Sequence, residues 1–127
     1  MSELPVYLEK FRALIESLDI TVYTPQSSVA VAGSSAHTSS VYDVSQARDI
    51  VFQCVNGPST DVDFMLYASP DGISFDSLPY LSINLGANET ISRPVTAGMK
   101  ALKVVVSNNS TVDTTVSTYL IIRTGIY

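Results

Sequence analysis

The 127-residue chain has no tryptophan, one cysteine and one histidine. A single cysteine, Cys54, excludes an intrachain disulfide, and with His37 as its only nitrogen companion it argues against a zinc site built by one chain. Lys and Arg total 7 against 12 Asp and Glu, for a net charge of −5 and a pI of about 4.5. No general positive footprint for phosphates exists, so nucleic acid is not an expected partner. No stretch approaches the ~18 apolar residues of a membrane span. The opening "MSELPVYLEK" is acidic and amphipathic, unlike the basic segment and apolar run of a signal peptide. A Gly-rich phosphate loop, a His-Glu metal motif and a Gly-x-Ser-x-Gly elbow are all lacking. The expectation is a protein that is not an enzyme and uses no cofactor.

What is present is apolar and charge-poor: 46% hydrophobic and 15% charged residues, with a mean hydropathy of +0.24. The length suits one domain. A surface so poor in charge tends to need a neighbour to cover it.

The first residues differ from the rest. In "LPVYLEKFRALIESLD", Leu4, Tyr7, Leu8, Phe11, Leu14, Ile15 and Leu18 recur at gaps of three and four. That spacing predicts an amphipathic helix over 3–18, with Glu9, Lys10, Arg12 and Glu16 off the stripe. Ser2 suits the N-cap and Pro5 the first turn. Such a helix is marginal alone in water and must dock on its own domain or on a neighbouring subunit. Residues 1–18 are thus expected to form a helical arm and 19–127 a β-domain.

From Asp19 onward, short runs rich in Val, Ile, Thr and Tyr alternate with Gly, Pro, Asn, Asp and Ser clusters. "ITVYT", "SVAVA", "SVYDV", "IVFQCV", "VDFMLYA", "ISF", "LSINL", "TISRPV", "ALKVVVS" and "TVSTYLIIRT" read as strands of an antiparallel β-sandwich or jelly roll. "GSSAHTSS", residues 33–40, reads as a polar, flexible connection, with His37 on a surface loop. Period-two alternation assigns Val62, Phe64, Leu66 and Ala68 to the core, together with Leu102, Val104 and Val106, and Val116, Thr118, Leu120 and Ile122. Ile50, Phe52 and Cys54 join them, Cys54 as a small buried residue. The opposite faces are not cleanly polar. Met65, Tyr67, Val105, Tyr119 and Ile121 would form one apolar surface if their strands are neighbours, to be covered by the helix or by another protomer.

The carboxylates offer one candidate site. Asp61 and Asp63 lie on one strand face, and Asp71 and Asp76 follow in the next turn; together they are candidate calcium ligands, because hard cations take clustered oxygens. The bland reading is a solvated strand end beside a turn. In "YASPDGISFDSL", Pro70, Asp71 and Gly72 suit a tight reversal with Gly72 at positive φ, Asp71 acting as a turn residue and Phe75 capping the core end. Asn88, Asn108 and Asn109 sit in glycosylation-like triplets and read as turn residues.

Roughly residues 38–107 resemble small β-sandwich modules of bacteriophage and archaeal-virus virions, most plainly in the stretch from Ser39 to Leu78. Tyr42, Asp43 and Val44 precede a strand, and Ser69, Asp71, Gly72 and Phe75 form an S-x-D-G-x-x-F hairpin. The resemblance implies a virion structural protein: a capsid decoration, tail or fibre-associated protein located in the virion, whose partners are copies of itself and other virion proteins. The amphipathic helix is not part of that pattern; from the apolar residues themselves, the expected contact surface is the helix stripe with Met65, Tyr67, Tyr119 and Ile121. A carbohydrate-binding module, calcium-dependent or not, and a subunit of an extracellular filament are the alternatives.

Overall fold

The computed structural model describes residues 19–124. The predicted helix over 3–18, with Leu4, Tyr7, Leu8, Phe11, Leu14, Ile15 and Leu18, lies outside them.

The described chain is all strand and turn. Nine strands form in order: β1 Asp19–Val31, β2 Ser35–Thr38, β3 Tyr42–Asp43, β4 Asp49–Asn56, β5 Val62–Ser69, β6 Leu81–Leu85, β7 Thr90–Val95, β8 Ala101–Asn108 and β9 Thr114–Thr124. They make two antiparallel sheets. The first has the order β1-β9-β4-β7, and the second β2-β8-β5-β6, with β3 also pairing β8. The β5–β6 pair is innermost, β4–β7 flanks it, then β2–β8, then β1–β9. This nested pairing is that of a long hairpin rolled up into a jelly roll.

The sheets share one core. Phe52, Cys54 and Leu120 of the first meet Phe64, Leu66, Leu102 and Val104 of the second, all with no exposed surface. Each fully buried side chain of this kind contributes about 1.5–3 kcal/mol. The period-two pattern explains the packing: β4, β5, β8 and β9 alternate buried and half-buried residues along their length. The core faces expected from alternation are the buried ones, Thr118 included.

Three expected elements differ. "ITVYT" and "SVAVA" are one strand, β1, broken by register shifts on either side of Gln26, with Ser28 at a φ of 49°. The supposed flexible connection at 33–40 contains β2, whose Ser35–Thr38 pairs with Asn108–Val105 of β8. "ISF" is not a strand: residues 70–80 form an irregular connection between β5 and β6. Backbone bonds from Asp76 N to Ala68 O (3.0 Å) and Tyr80 N to Leu66 O (2.7 Å) hold that connection against the end of β5.

Candidate functional site

The expected apolar surface is divided between two faces. Met65 and Tyr67 of β5 and Val105 of β8 lie on the outside of the second sheet, whereas Tyr119 and Ile121 of β9 lie on the outside of the first. The two groups face away from each other, because their strands belong to different layers.

The first sheet carries the more continuous apolar row. Register places Val22 of β1 opposite Ile121 of β9, Ile121 opposite Val51 of β4, and Val51 opposite Pro94 of β7. Four apolar side chains thus cross the whole sheet on its outer side. Ile20 and Tyr119 flank the row, and the exposed Asp49–Arg123 pair, 3.7 Å apart, marks the adjoining row. At the β1 edge the row opens to solvent, with Val22 54% and Ile20 60% exposed. Sequence reasoning found Tyr119 and Ile121 but missed Val22, Val51 and Pro94. Their alternation was visible, but which strands lie side by side is not a local property.

The outside of the second sheet is mixed. The Lys103 ammonium sits 4.5 Å from the Phe75 ring centroid and 5.8 Å from that of Tyr67. Phe75 therefore folds over the outer face and does not cap the core as expected. At the far end of β5, Asn84 Nδ2 donates to Asp63 Oδ1 at 2.8 Å and Asn109 Nδ2 to Asp63 Oδ2 at 2.9 Å. Asp61, Asp63, Asn84 and Ser107 line a shallow hollow there. The four carboxylates considered as calcium ligands do not meet. Asp61 and Asp63 lie at the start of β5, whereas Asp71 follows its end and Asp76 is bonded beside Ala68. Even Asp63 and Asp76 are thus separated by about five residues of strand, roughly 16 Å. Among the described residues no group of three or more His, Cys, Asp or Glu gathers as metal ligands.

Asp71 organises its own loop. Its Oδ1 accepts from Ile73 N (2.8 Å), Ser74 N (2.9 Å) and Ser69 Oγ (3.1 Å). Ser69 Oγ in turn accepts from Gly72 N at 3.0 Å. Gly72 has a φ of 81°, a conformation that side chains rarely adopt. The Ser74 and Ile73 amides hold the Asp71 carboxyl below its ordinary value of 3.8.

Cys54, Gln26 and Asn108 lie in the interior, and His37 lies at its border. Cys54 is buried, and desolvation pushes its thiol up to about 12, so it is a packing residue and a poor nucleophile. His37 is half-buried on β2, not on a loop, with Nδ1 3.2 Å from Gln26 Nε2. Gln26 is fully buried and bridges the layers. It donates from Nε2 to Val104 O of the second sheet at 3.1 Å, and from its backbone N to Thr118 Oγ1 of the first at 3.1 Å. Asn108, read as a turn residue, is buried at the end of β8, its amide donating to Val31 O and Val112 O.

No protein-family model matches the chain, and no curated sequence matches it significantly. Solved structures do resemble it. PirA aligns at a TM-score of 0.53 and 12% identity, over 80% of this chain and 92% of its own. The SPBc2 prophage-derived protein YomS aligns at 0.53 and 20% identity, over 82% of this chain and 94% of its own. The Clostridium thermocellum xylanase Xyn10B, in its CBM22-1-GH10 form complexed with xylohexaose, aligns at 0.50 and 12% identity. That match covers 88% of this chain and 27% of the xylanase chain. At these identities the likeness is one of fold.

Proposed function

We propose that the chain is a non-enzymatic virion structural protein, a capsid decoration or a tail- or fibre-associated β-sandwich, that works by assembling with copies of itself and with other virion proteins. The observation that carries the assembly reading is the apolar row Val22, Ile121, Val51 and Pro94 on the outside of the first sheet. Water contact with such a row is unfavourable by about 25 cal/mol per Å² of apolar surface, which a protein partner relieves. The virion assignment is supported by the resemblance of Tyr42–Phe75 to virion modules and by the prophage origin of YomS, a protein of similar fold. Light scattering on the full chain tests it: the expected result is a discrete oligomer, and a monomer that persists at high concentration contradicts it.

A carbohydrate-binding role is the second reading. It is favoured by Tyr67 and the Asp63, Asn84 and Asn109 groups on the outside of the second sheet, and Xyn10B, complexed with xylohexaose, shares the fold. A glycan array run with and without a chelator separates the two readings, and no binding in either condition removes the second.

A further inference from the structure

The apolar row on the first sheet has a definite origin in the chain. β1 starts at Asp19, and Ile20 and Val22 are the exposed, edge end of the apolar surface. In the chain, the strand that carries the exposed Ile20 and Val22 is directly preceded by residues 1–18. Those residues carry the apolar stripe that includes Tyr7, Leu8, Phe11, Leu14 and Leu18.

We propose that this row seats residues 4–18 of a second copy of the chain, so that neighbouring copies exchange N-terminal arms. The inference rests on the assembly reading above and adds which surfaces meet. Chemistry matches, because an apolar stripe that is marginal alone in water meets an apolar row open to water. The expected helix is long enough: over 4–18 it would extend about 22 Å, more than the roughly 14 Å between the outermost strands of the sheet.

The connection selects a second copy over the same chain. The last stripe residue, Leu18, is adjacent to Asp19, the first residue of β1, and "LIESLD" contains neither Gly nor Pro. Turning back onto the same sheet takes a reversal, for which connections commonly use about 2–6 residues. An arm reaching a neighbour needs no reversal. The second sheet is a poorer seat. Asp63, Asn84, Lys103 and Ser107 make its outer face polar, and Phe75 occupies part of it.

Cysteine pairing on the full chain tests the exchange. One preparation carries Phe11→Cys and the other Val51→Cys. The native Cys54 is buried with its thiol pushed up to about 12, and the unsubstituted chain serves as the control. After mixing and mild oxidation, the expected result is a covalent dimer joining the two variants, severalfold more abundant than any dimer formed by either alone. Three results overturn the proposal: Phe11→Cys chains linking chiefly to each other, a Phe11→Cys/Val51→Cys double variant closing within one chain, or no link at all. If light scattering still shows an oligomer in those cases, arm exchange fails and the assembly reading survives. A monomeric full chain removes both.

Discussion

At the scale of single residues, buried polar groups do the most specific work. Gln26 sits in a strand of alternating apolar residues and would be expected to spoil the core. The register shifts on either side of it turn its side chain inward, where Thr118, Val104 and His37 satisfy it. Gln26→Leu removes the amide donor to Val104 O, which keeps its bond from Ser39 N, and leaves the Thr118 hydroxyl proton without its acceptor in the core, at a cost of about 1–3 kcal/mol. Urea unfolding checks this, and a midpoint unchanged from the parent contradicts it. Asp71 makes a pH prediction. Its carboxyl is lowered in the folded loop by the Ser74 and Ile73 amides. Its contribution is therefore full above the ordinary carboxylate value of about 4 and is lost as pH falls through the lowered folded value. The amide shifts of Ile73 and Ser74 should titrate with a midpoint below that of a free aspartate; a midpoint at or above it contradicts the assignment. The turn chemistry of Asp71 and Gly72 was legible in the sequence because it is local. The inward turn of Gln26 was not, because a register shift depends on the partner strand.

At the scale of elements, alternation carried the reading. β4, β5, β8 and β9 place mostly apolar or β-branched residues at alternate positions, and their core faces follow from that alternation. β2 was missed because Ser35–Thr38 is small and polar and carries no apolar alternation; the neighbouring β8 supplies its hydrogen bonds. "ISF" was overread for the opposite reason: Ile73 is apolar but 86% exposed, and Asp71 and Ser69 claim the backbone groups that a strand would pair. The loops after β4 and β8 are each tied down by a buried asparagine. Asn56 donates to Thr60 O, Leu85 O and Gly86 O, and Asn108 to Val31 O and Val112 O. Asn108→Leu removes the side-chain donor to Val31 O and Val112 O, the latter keeping Ser110 Oγ, and the acceptor of Ser110 N, at a cost of about 2–3 kcal/mol. Hydrogen exchange should rise first in residues 109–113 and the adjoining end of β1; a change spread evenly over both sheets contradicts this local role.

At the scale of the whole molecule, the jelly roll decides which leftover apolar residues can act together. Assigning strands to layers moved Met65 and Tyr67 away from Tyr119 and Ile121, and brought Val22, Val51 and Pro94 to the latter. One outer face is therefore mixed and the other is crossed by an apolar row. Composition had already pointed to a covered surface, but its position awaited the strand order. The account's central claim is that this face holds the assembly together. Light scattering on the full chain, beside a Val51→Asp/Ile121→Asp variant with circular dichroism as the fold check, tests it most directly. The account predicts a discrete oligomer for the parent and a folded monomer for the variant, and a variant that keeps the parent's mass would contradict it.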